Sequence, residues 1–271
     1  RLHRYYKKYD NDIYKYLNNW EDQITFEFND FYNFGKYIVA KIVFNVDHID
    51  DKVYEVFSEA NTLEVFVNSN FKIKPEIYDI YLDTLNYYIE NPQPKSLIDL
   101  CLKVSKNKED ILHQIPHFMF PIVAISVSVI PRLLVLLFNH KHVLQKVIDE
   151  INSVSDNSNL FYLRKCILES VRLNNLVITT FRTLSEDFSF DKKYSFKKND
   201  KFLILNNPVL RETEYFENPN EFIPERWTEE MEESYYAISF GKGPQRCPGK
   251  DLSIYLCQSF IYNFFKIKKL N

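Results

Sequence analysis

Apolar residues recur at helical spacing over most of the chain, and one pair of β-branched and aromatic runs stands near residues 177–205. Together these predict a chain of many helices with one strand pair. A third observation points to where its chemistry sits. The chain has only 4 glycines, and three of them, Gly241, Gly243 and Gly249, fall in the short stretch Phe240-Gly241-Lys242-Gly243-Pro244-Gln245-Arg246-Cys247-Pro248-Gly249-Lys250. Turns denied elsewhere are therefore allowed around one cysteine.

Composition narrows the class. At 45% hydrophobic and 26% charged residues, 271 residues suffice to bury a substantial core as one domain. The net charge of −3 implies no basic face and argues against nucleic acid as the main partner. Cys101, Cys166, Cys247 and Cys257 show neither paired nor metal-ligand spacing, which suggests reduced, intracellular thiols. The first residue is Arg1, so the sequence reads as a piece of a longer chain.

In chain order, residues 1–20 and the amphipathic run 24–44 read as helices, followed by helices at about 53–67 and 75–88 and a turn at Asn91-Pro92-Gln93-Pro94. His113 and His117 are four apart, but Pro116 lies between them and no carboxylate partner is placed to help, so they read as ordinary loop or core histidines. Residues 118–138 are the most apolar stretch. Their length would span a bilayer, yet Pro121, Pro131, Arg132 and two serines favour a long helix through a large core. Residues 140–151 and 161–173 read as two further amphipathic helices, the second carrying Glu169 and Arg172 on one face. Runs 177–190 and 194–205 read as a strand pair joined at Asp191-Lys192-Lys193. A long, weakly patterned segment then passes through Pro224-Glu225-Arg226-Trp227 to the cysteine bend, and such a segment is usually functional or pinned. After Pro248 helical spacing resumes, so Cys247 precedes a helix N-terminus, whose unpaired N–H groups favour a negative sulfur. This suits an axial ligand to an iron porphyrin, while a tight turn with a buried free thiol is the alternative.

Glu169-x-x-Arg172, then Pro224-Glu225-Arg226-Trp227, then Phe240-x-x-Gly243 leading to Cys247-x-Gly249 form an ordered set that resembles the cytochromes P-450. The resemblance implies that family's fold, mainly α with small β-sheets, over a single domain of residues 1–271 lacking the amino-terminal helices and sheet and the last carboxy-terminal strands. It implies haem b as cofactor, with Cys247 as the thiolate bound to iron and Phe240, Gly243 and Gly249 shaping its loop. Glu169, Arg172 and Arg226 match the family's buried charge triad, and such a shared carboxylate is stable only while complete. Arg182 falls where the family often places a cation for a haem propionate. The family's other propionate arginine usually stands two residues before the cysteine, but here that place is Gln245 and the arginine is Arg246.

The apolar helix is implied to cross the haem face. Where oxygen-activating members carry an acid followed by threonine, this chain has Ala124 and Ile125, with Ser126 one step on. The run from Phe120 to Ser126 looks like the corresponding helix of bacterial fatty-acid peroxygenases, although their carboxylate-binding arginine is replaced by Phe120. Cys247 to Asp251 resembles hydroperoxide-rearranging members such as allene oxide synthase. The expected function is a haem-thiolate oxidoreductase acting on a small apolar substrate, a fatty acid, sterol or similar, with a peroxide or hydroperoxide as oxidant. Alternatives are a conventional monooxygenase served by an electron-transfer reductase, and a haem-binding protein without turnover. Membrane association is not evident in the sequence.

Overall fold

The computed structural model describes residues 5–60, 74–105 and 107–268. They fall into two compact units, residues 1–131 with 255–271, and residues 132–254.

In the first unit, α1 (Tyr6–Leu17) is followed by α2 (Phe28–Val39), whose start is fixed by a capping box between Glu27 and Asp30 and whose end widens into a π turn, Ala40–Phe44. Then come α3 (Lys52–Ala60), α4 (Pro75–Glu90) and α5 (Leu97–Val104). The helix expected at 53–67 is thus present to residue 60, and its remaining residues lie outside those described. Helical backbone next runs through α6 (Lys108–Gln114), α7 (Pro116–Ala124), a second π turn (Ile125–Val129) and α8 (Ile130–Asn139), the last belonging to the second unit from Arg132 onward. By length and composition the run Lys108–Asn139 could cross a membrane. Half of its most apolar window is buried inside the protein.

The π turn has a local cause. Pro131 has no N–H to give the Val127 carbonyl and its ring would crowd that oxygen, so widening the preceding turn relieves both problems. Gly35 of α2 lies against this region. A Cβ added there would stand 3.0 Å from Ser126 Cβ and 3.2 Å from Val123 Cα. Around it the core is aromatic: Phe260 packs at 4.9 Å from Phe34 and 5.8 Å from Trp20, centroid to centroid. Phe260 belongs to the last helix, α13 (Lys250–Lys268). Asn263 and Ser259 of that helix both donate to Asp10 of α1, the former at 2.8 Å.

The second unit holds α9 (Lys141–Ser153) and α10 (Phe161–Leu173). The first N–H groups of α10 find their acceptor in α9, with Tyr162 N and Leu163 N donating to the Glu150 carboxylate at 2.6 and 2.9 Å. The expected strand pair is two antiparallel pairs. Strand β1 (Thr179–Thr183) pairs with β4 (Lys201–Leu205), and β2 (Phe188–Phe190) with β3 (Tyr194–Phe196). Between them Asp187 accepts from Lys198 N and Lys197 Nζ, both at 2.9 Å, and so replaces the ladder with a local loop. Short helices α11 (Asn206–Leu210) and α12 (Glu229–Glu233) punctuate the irregular segment that follows.

Glycine to alanine inside a helix ordinarily gains about 1 kcal/mol of helix propensity. At Gly35 the added carbon meets backbone, so the sign is expected to reverse: Gly35→Val should destabilise by about 2 kcal/mol or more. Urea unfolding of the two proteins measures this, and an unchanged midpoint would show that the helices part freely.

Candidate functional site

Helix α10 is amphipathic, yet the face it buries carries both charges of its Glu-x-x-Arg motif: Glu169 is fully buried and Arg172 is 1% exposed. Arg172 Nε and Nη2 each donate to a different Glu169 oxygen at 2.8 Å, the bidentate arrangement. Arg226 Nε reaches Glu169 Oε1 at 3.0 Å, so the three residues of the sequence-read triad do come together. Two donors were not assigned from sequence. Trp227 Nε1 donates to Glu169 Oε2 at 2.8 Å and Ile223 N to Oε1 at 3.1 Å. The Trp in the Pro-Glu-Arg-Trp motif was the available signal, since a buried indole N–H needs an acceptor.

Arg172 does more than pair with Glu169. Its Nη1 donates to the carbonyls of Leu210 and Pro219 at 2.7 and 2.8 Å, and Nη2 to that of Glu221 at 3.3 Å. Its guanidinium also lies 4.9 Å from the centre of the buried Phe216 ring. The long irregular segment is therefore pinned from inside.

Cys247 stands at the end of that segment. Gly241 has φ 69° and ψ 169°, a backbone region open essentially to glycine, and Gly243 has φ 71°. These bends turn the chain back, so that Cys247 N donates to Phe240 O at 2.8 Å and Arg246 N to Gly243 O at 3.1 Å. Position 249 lies beside the sulfur, a Cβ there being 3.8 Å from Cys247 Sγ. The Cys247 side chain is half-exposed. In contrast, burial pushes the Cys166 thiol well up and that of Cys257 up to about 12, so both remain neutral core groups.

Arg246 is exposed and its side chain makes no hydrogen bond or ion pair among the described residues. Arg182 is exposed on β1, where its side chain donates only to its neighbour's carbonyl, Phe181 O, at 2.8 Å. In the other unit, Phe120 and Ala124 are half-buried and Ile125 is buried. Ser126 is 2% exposed and its hydroxyl donates to Ile122 O at 2.9 Å. His113 and His117 are both exposed, with Glu109 3.9 Å from His113, and no metal-binding group of three side chains assembles among the described residues.

Removing the shared carboxylate leaves Arg172 buried and unpaired, so Glu169→Gln should cost about 3–5 kcal/mol. Arg226→Ala should cost less, because Glu169 keeps Arg172, Trp227 and Ile223. Thermal or urea unfolding gives the order, and equal losses for the two variants would contradict the shared-acceptor geometry.

Residues 6–266 match the family model described as Cytochrome P450. A (21S)-21-acetyl-1-hydroxy-apo-melianone synthase of Melia azedarach is 34% identical over 122 residues, 44% of this chain and 25% of that protein. Beta-amyrin 11-oxidase of Glycyrrhiza uralensis is 26% identical over 204 residues, 67% of this chain and 41% of that protein. The chain thus spans less than half the length of either. Among solved structures, the cytochrome P450DA heme domain superposes with a TM-score of 0.77 at 16% identity, covering 94% of this chain and 65% of that one. The family holds haem b through a cysteine thiolate. The residues here fit that group: a half-exposed sulfur with no hydrogen bond among the described residues, two exposed arginines, and a buried Ser239 hydroxyl without a protein partner beside Phe240. By its match over residues 6–266, the chain belongs to the cytochrome P450 family.

Proposed function

We propose that this chain is part of a haem-thiolate oxidoreductase that oxidises an apolar organic substrate, with a peroxide or hydroperoxide as the preferred oxidant. The observation that carries the first part is the loop of Cys247: a half-exposed sulfur held by a glycine-shaped bend, in a chain of this family. Bound through a thiolate, the haem supplies an electron-rich iron that favours O–O cleavage.

The chain's own residues divide the remaining work. Cys247 would hold the iron through its thiolate. Arg246 and Arg182 are exposed and not engaged by carboxylates, and are assigned to the propionates. Glu169, Arg172 and Arg226 hold the segment that leads to the loop. Phe120, Ala124 and Ile125 present only hydrocarbon, which suits a substrate of fatty-acid or sterol type and excludes water.

The preference for peroxide rests on Ser126. Dioxygen activation consumes protons, and the side chains of Ala124 and Ile125 have none to give. The Ser126 hydroxyl is buried and already committed to the Ile122 carbonyl, inside a helix pressed against Gly35. Peroxide brings its own protons and oxygens, so the missing groups are no loss.

Two outcomes are expected. Cys247→Ala should abolish the characteristic ferrous–carbon monoxide band, and its persistence would remove the ligand assignment. Substrate turnover should be supported by peroxide and change less than about threefold in Ser126→Ala. Turnover only with reductase and NADPH would instead favour conventional monooxygenation, and haem uptake without turnover in the full-length protein would favour a binding role.

A further inference from the structure

A second cluster of charges, apart from Glu169, converges on α12. That short helix carries Glu229, Glu230, Glu232 and Glu233, of which Glu232 alone is turned away from solvent. Its carboxylate accepts from Arg164 Nη2 of α10 at 2.5 Å and lies 2.7 Å from Lys250 Nζ. Its backbone carbonyl accepts from Lys242 Nζ at 2.8 Å. The two lysines flank the cysteine loop, one on each side of Cys247.

Each contact answers a local need. The Glu232 carbonyl belongs to the last turn of α12, where carbonyls lack helical partners, and Lys242 caps it. Lys250 opens α13, and a cation at a helix N-terminus opposes the helix dipole unless an anion lies close. Glu232 supplies that anion. Burial pushes the Glu232 carboxyl up, but the hydrogen bonds from Arg164 and Lys250 outweigh it and hold the group below the ordinary carboxylate range, so it is charged at neutral pH.

We propose that Glu232 is a positioning residue for the Cys247 sulfur, tying both flanks of the loop to α10 through Arg164. The proposal rests on the reading of Cys247 as the iron ligand. Neither lysine touches the sulfur. By fixing the residues before and after the bend, they limit how far the sulfur can move, and through it the geometry and potential of anything it ligates.

The test uses the full chain in a Cys101→Ser background, with Glu230→Gln as an exposed control. In haem-loaded protein, Glu232→Gln should lower the fraction of the thiolate-type carbon monoxide band and shift the reduction potential, while Glu230→Gln does neither. In unloaded protein, iodoacetamide should alkylate Cys247 about tenfold faster in Glu232→Gln than in the control, as expected for loss of a charge-assisted contact. Lys242→Met, which leaves Glu232 with Arg164 and Lys250, should move alkylation in the same direction by less. Unchanged alkylation in Glu232→Gln overturns the proposal. Should that variant not fold, Lys242→Met decides alone, and an unchanged rate there overturns it equally. A band that survives Cys247→Ala would refute the iron reading only, because alkylation reports the sulfur's position whether or not it binds metal.

Discussion

The carboxylate of Glu169 is the point on which the second half of the chain depends. A buried carboxylate is costly unless its lone pairs are satisfied, and here they accept from two nitrogens of Arg172, one of Arg226, the Trp227 indole and the Ile223 amide. Arg172 in turn would be a buried cation with spare donors, and it spends these on the carbonyls of Leu210, Pro219 and Glu221. Those carbonyls lie at the end of α11 and in the irregular chain beyond it, where neither helix nor ladder satisfies them. The guanidinium thus does for residues 210–223 what a neighbouring strand does for a strand. Because every member satisfies another, the loss of one member leaves several polar groups without partners.

Such an anchor fixes the middle of the irregular segment but cannot by itself fix its end. Between Arg226 and Cys247 the backbone has only short turns and α12. Order there comes from two local devices. Gly241 and Gly243 admit a backbone that closes the Cys247 amide onto Phe240, and Lys242 and Lys250 meet at Glu232. Both α10 anchors, Glu169 and Arg164, lie on one rigid helix, so the segment is referred to a single frame.

Much of this was legible in the sequence because motif chemistry is local. Glu169 and Arg172 are three apart on a helix, and the glycine-rich bend announces itself in a chain almost without glycine. What was not legible depends on distances that no spacing encodes. Trp227 and Ile223 reach Glu169 only because Arg172 has already folded the segment back. Glu232 looks like one more residue in an acidic run until Lys250 and Arg164 are seen beside it. Where the strand pair splits, Asp187 holds Lys197 and Lys198 through contacts that the aromatic runs do not announce. The π turn was hidden because helical periodicity assumes 3.6 residues per turn, and one widened turn shifts the register without changing composition.

That shift bears on chemistry. In the sequence Ser126 stands one step past Ala124 and Ile125 as the nearest hydroxyl. In the structure Ser126 serves packing. Gly35 brings α2 within contact of its Cβ, and the hydroxyl, excluded from water, turns back to the Ile122 carbonyl within its own helix. A serine that donates to the carbonyl four residues back loosens that turn, which suits the π turn that starts beside it and the proline that ends it. The same close approach to α2 therefore leaves the Ser126 hydroxyl turned onto its own helix. On the function proposed above, an oxidant that carries its own protons would ask nothing of this helix beyond a hydrocarbon surface, which Phe120, Ala124 and Ile125 would supply.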